Sequence, residues 1–215
     1  MPPHAIYNPP PDAGLNVLWR DEYLLVVNKP AGLLTVPGRG EGKADCLITR
    51  MQKIFSDALI VHRLDMATSG LVLLARGAEM QRQLSQIFSE REVQKSYVAL
   101  VSGRILNEVG EINLPLLADW SNRPRQMVNM LDGKSSLTRY RLLVFEKDVS
   151  RVELEPVTGR THQLRLHMAA IGHPIMGDTL YDGRTAERLM LHAKLLSFVH
   201  PMSSERLHLE CEAEF

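Results

Sequence analysis

His62, Arg63 and Asp65 stand within four residues of one another in Val61-His62-Arg63-Leu64-Asp65-Met66-Ala67-Thr68-Ser69-Gly70. An imidazole, a guanidinium and a carboxylate this close can share a proton, an anion or a reacting bond if the chain holds them still. The apolar run over residues 70–75 reads as the buried strand that could do so. The same residues also fit an ion-paired, solvated turn. A second grouping is Pro156-Val157-Thr158-Gly159-Arg160-Thr161-His162-Gln163-Leu164-Arg165-Leu166-His167. If Thr158-Gly159 opens a helix with Leu164 and Met168 inward, then Thr161, Arg165 and His162 share another face. N–H groups at such a helix start, with Arg160 beside them, suit a phosphate or carboxylate. A basic solvated face is the competing reading.

Two further groupings widen the choice. Residues 122–141 hold Arg123, Arg125, Lys134, Arg139 and Arg141 against Asp132, a local charge of +4, with Trp120 and Tyr140 in or beside them. Bases mixed with aromatics suit a phosphate backbone and unstacked nucleobases, and equally a solvated hairpin. Five of the eight histidines (His162, His167, His173, His192 and His200) fall between residues 162 and 200. Their spacing lacks the i, i+4 pair of a helical zinc motif, so no metal is expected. A P-loop, GxGxxG, GxSxG and CxxC are all missing, which removes support for nucleotide-fuelled, dinucleotide and serine-hydrolase chemistry.

The elements that must position these residues read as strands for the most part. Apolar runs predict strands at 23–27, 70–75, 96–101, 112–117, 136–145, 151–155, 190–199 and 207–212, with 33–36 as a return strand. Helices are expected after an Asp45 N-cap, over 78–91, and from Thr158-Gly159 to the breakers Gly172-His173-Pro174. Roughly ten strands with few regular βαβ units argue for an α+β fold with a large mixed or antiparallel sheet, flanking helices and loops, and an active-site cleft across the sheet. Residues 1–16 carry Pro2, Pro3, Pro9, Pro10 and Pro11 and read as an extended arm. Residues 17–215 read as a single domain.

Of the 215 residues, 45% are hydrophobic and 23% charged, so the chain is neither disordered nor short of core. No apolar run reaches the length of a membrane helix. Met1-Pro2-Pro3-His4 lacks the basic and apolar regions of a secretory leader, and a cytoplasmic protein with reduced Cys46 and Cys211 is expected. The 25 basic and 25 acidic residues cancel. The last eleven residues carry a local charge of −3, so the other 204 carry +3 (24 bases against 21 acids).

The motifs together resemble the RluA-type pseudouridine synthases. His62-Arg63-Leu64-Asp65-x-x-Thr68-Ser69-Gly70 is similar to the family's catalytic loop. Asn28-Lys29-Pro30-Ala31-Gly32 is similar to its N-terminal motif, and Pro156 through His167 to its third. Leu191-His192-Ala193 resembles the short motif after that, and Lys95-Ser96-Tyr97 sits where the family places its active-site tyrosine. The resemblance implies isomerisation of uridine to pseudouridine in structured RNA. In that reaction the N-glycosidic bond breaks, the base turns, and C5 rejoins C1′ with water excluded. It implies catalytic roles for Asp65, Tyr97 and Arg165, the arginine being the counter-charge of an aspartate that must stay ionised where burial opposes charge. Asp65 either attacks as nucleophile or removes a sugar proton. Substrate contacts fall to His62, Arg63, Leu191, Arg160, Arg123 and Arg125, with the uridine flipped out of its stack and Arg63 filling the gap. No cofactor or metal is needed, and a monomer is expected. The resemblance runs closest to the short members of dual specificity, which lack an S4-like domain and act on 23S rRNA and the tRNA anticodon loop. A non-catalytic RNA-binding module and a metal-assisted hydrolase are the alternatives.

Overall fold

Two apolar runs set the first unit, which comprises Met1–Val93 with Ser197–Cys211. In the computed structural model, which describes residues 7–215, Leu24, Leu25, Val26 and Val27 are wholly buried, as are residues 71–75. Continuous apolar strands of this kind must be covered on both faces, and each such Leu or Val stabilises the fold by about 1.5–3 kcal/mol. With strands numbered along the chain, β2 (Leu24–Lys29) lies antiparallel between β1 (Asn16–Arg20) and β4 (Ser69–Arg76). The short β3 (Ala58–Ile60) pairs with the far end of β4. Helix α2 (Ala78–Ser89) packs Met80 and Leu84 inward. Strand β11 (Leu191–Val199) ends in this unit, and a turn through His200 and Glu205 leads to β12 (Arg206–Glu210).

Local differences from the expected elements have clear causes. Residues 33–36 form no strand, because β2 already has β1 and β4 as neighbours. Helix α1 (Leu47–Gln52) is capped by Cys46, whose N–H donates to Thr49 Oγ1 at 3.0 Å, and not by Asp45. Asp45 instead accepts the Nε and Nη2 of buried Arg50, both at 2.7 Å, which holds its carboxyl below the usual range. The arm is pinned from Tyr7 onward. The Tyr7 hydroxyl donates to the Asp45 carbonyl and accepts the Leu34 N–H, and Arg50 Nη2 donates to the Pro10 carbonyl at 2.7 Å. Pro2 and Pro3 lie outside the described residues.

The second unit, Gln94–Leu196 with Glu212–Phe215, is built on the order β5 (Gln94–Ser102), β10 (Val149–Pro156), β9 (Leu137–Glu146), β6 (Val109–Asn113), each pair antiparallel. Alternate β10 residues are buried, as the period of two in 151–155 predicts. The strand expected over 112–117 is two elements, because Leu114-Pro115 separates β6 from β7 (Leu116–Ala118). Strand β7 forms a hairpin with β8 (Gln126–Val128). Helix α3 (Gln163–Ala170) begins five residues after Thr158. Antiparallel pairing with few helices matches the α+β expectation.

Candidate active site

Asp65 lies half-buried on the loop between β3 and β4, and the loop is held by its backbone. Leu64 exchanges two bonds with the Thr35 hydroxyl, which donates to its carbonyl at 2.8 Å and accepts its N–H at 3.2 Å. The Asp65 carbonyl accepts the Thr68 N–H, and the Met66 carbonyl accepts the Gly32 N–H at 2.8 Å. Arg63 is exposed beside it. His62 faces inward. Its Nε2 accepts the Leu73 N–H of β4 at 2.9 Å and its ring stacks on Phe88 at 4.5 Å, so it extends the hold of β4 on the loop by a side chain.

Lys29 is the participant that a reading of motif spacing misses. Asn28-Lys29-Pro30 looks like a solvated turn, yet Lys29 is fully buried at the end of β2. Its Nζ donates to the carbonyls of Leu33 (2.7 Å), Pro30 (2.9 Å) and Met66 (3.1 Å), tying the N-terminal motif to the residue after Asp65. Burial draws its pKa from the ordinary 10.5 down to about 7, opposed by the nearby negative charge of Asp65. Between those two values the unfolded chain binds more protons than the folded one, so this lysine's contribution to stability rises with pH. Urea midpoints at pH 7 and pH 9 should therefore rise for the wild type relative to Lys29→Met. Parallel behaviour of the two proteins would refute the assignment.

In the second unit, Arg165 sits on α3, only 5% exposed, and is held by Asp178. Its Nε donates to Oδ2 and its Nη2 to Oδ1, both at 2.7 Å, a bidentate pair that fixes the plane of the guanidinium. Asp178 Oδ1 also accepts the N–H groups of Leu180 and Tyr181. Gly177 precedes it at φ +75°, where a Cβ would lie 1.9 Å from the Arg188 carbonyl, so the turn delivering Asp178 requires glycine. Tyr181 completes the support. Its hydroxyl accepts the Gln126 N–H at 2.8 Å and lies 2.9 Å from His162 Nδ1, and the guanidinium carbons of Arg165 and Arg125 stand 5.3 and 5.6 Å from its ring centre.

The expected anion site at a helix start near Arg160 is not formed. His162, in the left-handed region at φ +54°, caps α3, and the chain from Thr158 to it is a loop. Buried Gln163 locks that loop, accepting from Thr158 Oγ1 (2.7 Å) and the Arg160 N–H (3.0 Å) and donating to the Leu137 carbonyl. Arg160 is exposed, with Nε on the Ser135 carbonyl, and Thr161 precedes the helix. Tyr97 is half-buried on β5 opposite Leu154, and Leu191 opens β11 as a buried residue.

The basic stretch divides. Arg139 pairs with Glu111 at 2.8 Å and Arg141 with Glu153 at 2.6 Å, so these two are neutralised within the sheet. Tyr140 lies over Gly110, whose Cβ would come 2.5 Å from its ring. Arg123 and Arg125, on the β7–β8 connection, and Lys134 beyond it have no carboxylate partner among the described residues. The histidines also separate. His167 bonds Thr138 and the Leu114 carbonyl, His173 the Ser102 carbonyl, and His200 Asp21. Among the described residues no three His, Cys, Asp or Glu side chains group as metal ligands would.

Comparison with known proteins bears on what these arrangements serve. The family model described as RNA pseudouridylate synthase matches residues 23–170. The dual-specificity RNA pseudouridine synthase RluA of Yersinia pestis is 48% identical over 204 residues, covering 93% of this chain and 99% of the relative. Its namesake in Escherichia coli K12 is 45% identical over 214 residues, covering 97% and 98%. Among solved structures, human RNA pseudouridylate synthase domain containing 1 superposes with a TM-score of 0.80 at 30% identity, covering 97% of this chain and 87% of the other. A family model over more than half of the chain and relatives matched over nearly all of it admit one assignment: the chain belongs to the RNA pseudouridylate synthase family, enzymes that isomerise uridine to pseudouridine in RNA.

Proposed function

We propose that this enzyme modifies uridines in small RNA stem-loops of both 23S rRNA and the tRNA anticodon arm, working as a cytoplasmic monomer without metal or cofactor. The observation that carries the reading is the Asp65 loop, a carboxylate-bearing segment clamped through its backbone by Thr35, Gly32 and Lys29. Asp65 is the catalytic carboxylate, Tyr97 the ring beside the uracil, and Arg165, already oriented by Asp178, the positive charge of the reaction. The N1–C1′ bond breaks, the C5–C1′ bond forms, C5 loses its proton and N1 gains one, so nothing is consumed and no co-substrate is required. Leu191 supplies an apolar wall. Exposed Arg63 and Arg160 contact the RNA, whereas His62, bonded to the Leu73 amide, supports the loop from behind. Residues 17–215 act as one catalytic domain, with the arm braced against α1. The alternatives lose ground: a pure binding module needs no clamped carboxylate, and a metal-assisted hydrolase needs a ligand set of a kind not found among the described residues.

Arg123 and Arg125 are the phosphate contacts of the hairpin. Replacing both with glutamine should weaken binding to an anticodon stem-loop and reduce the slope of log affinity against log salt by roughly one for each arginine. An unaltered slope in filter-binding titrations would assign them to solvent. The reading as a whole is tested by tritium release from C5-labelled uridine in tRNA and 23S transcripts. Release from one transcript alone would confine it to single specificity.

A further inference from the structure

Arg82, Arg139, Arg141 and Arg184 each face a carboxylate from the surface, but the connection between β7 and β8 is built differently. Asp119 spends its side chain on the turn itself, accepting the Asn122 N–H at 3.1 Å and its Nδ2 at 2.9 Å. The Asp119 N–H donates to the Arg125 carbonyl and the Arg125 N–H to the Asn122 carbonyl, closing the turn at both ends. On this braced frame Trp120 stands 70% exposed. The Arg123 guanidinium lies over its ring at 3.6 Å, so the exposure belongs to the other face. The base of the hairpin is anchored by the buried cluster of Leu116, Leu166 and Tyr181, with Val128 packed against it, which joins it to the helix carrying Arg165.

An indole standing in water, backed by a guanidinium and flanked by cations without acidic partners, buries little of its own surface in the fold. We infer that Trp120, with Arg123 behind it, is a stacking platform for an unpaired base of the RNA substrate, separate from the uridine that reacts. The charge argues for RNA over protein as the occupant. Arg123, Arg125 and Lys134 leave this edge positive, and every nucleobase presents a π-face that an indole accepts without regard to sequence. Stacking of this kind fits loop nucleotides, which are already out of a helix. The Trp120 inference rests on the RNA-modifying reading above.

The test uses the full chain and a synthetic anticodon stem-loop labelled at C5 of its uridines. In a Trp19→Phe background the tryptophan emission comes from Trp120 alone, and adding the RNA should quench it. Trp120→Ala should raise KM for tritium release about tenfold, the scale of one lost base–aromatic stack, with kcat unchanged. Trp120→Phe should recover most of the loss. Circular dichroism and thermal melting should match wild type, since the side chain is in solvent. Tritium release by the wild type without quenching, or with an unchanged KM for Trp120→Ala, overturns the platform and leaves the enzymatic reading standing. No tritium release from any labelled RNA overturns both.

Discussion

Asp65→Asn should abolish tritium release from C5-labelled uridine, by at least about a thousandfold, while RNA binding stays within about twofold of wild type. The substitution keeps the size of the side chain and removes only its charge and basicity, the two properties that attack on C1′ and removal of a sugar proton both require. The bonds that shape the loop should survive it. Thr35 holds Leu64, Lys29 and Gly32 hold Met66, and Thr68 holds the Asp65 carbonyl, all through main-chain atoms. Loss of activity with retained affinity and an unchanged melting temperature would thus isolate chemistry from folding. Turnover near the wild-type rate would remove Asp65 from the mechanism.

Asp178→Ala is expected to be the most destabilising single change near the site, costing about 3–5 kcal/mol of unfolding free energy. The cost arises from what remains. Arg165 is buried and cannot shed its charge, so without Asp178 two of its donors and the Leu180 and Tyr181 amides lose their acceptor together. Asp178→Asn keeps a carbonyl acceptor and should cost less while still lowering kcat, because a neutral amide cannot orient the guanidinium bidentately. Urea unfolding of the two variants gives the ordering. Equal, small losses would mean that Arg165 finds another partner at once.

Much of this was legible in the chain, and the exceptions share a cause. Strands β2, β4, β9 and β10 follow from apolar runs or from strict alternation, signals carried by neighbouring residues. The roles given to Asp65, Tyr97 and Arg165 come from the resemblance of their motifs to those of the family, and spacing alone left a solvated turn and a basic helix face open. Asp178 stands in a turn-like stretch with Gly177, Asp182 and Gly183, and nothing local says that it meets a residue 13 positions earlier. Lys29 looks like turn chemistry until β2 is known to run through it into the core. The start of α3 is displaced because Thr158 resembles a cap, whereas Gln163 settles the matter through Leu137, more than twenty residues away. Local pattern reveals elements, and long-range hydrogen bonds decide where they end. The +4 of residues 122–141 likewise needed the β6–β9–β10 register to show that Arg139 and Arg141 are spent on glutamates.

The bracing of the arm has a practical corollary. Arg50 is almost wholly enclosed, and its guanidinium draws on Asp45 and on the carbonyls of Pro10 and Pro11. Prolines suit this duty, since a chain already stiff in the extended form loses little freedom when laid along a surface. Trimming the protein to its first strand would remove the Pro10 and Pro11 carbonyls, two of the acceptors that the Arg50 guanidinium uses. A shortened protein that keeps these acceptors therefore begins before Pro10, well ahead of β1.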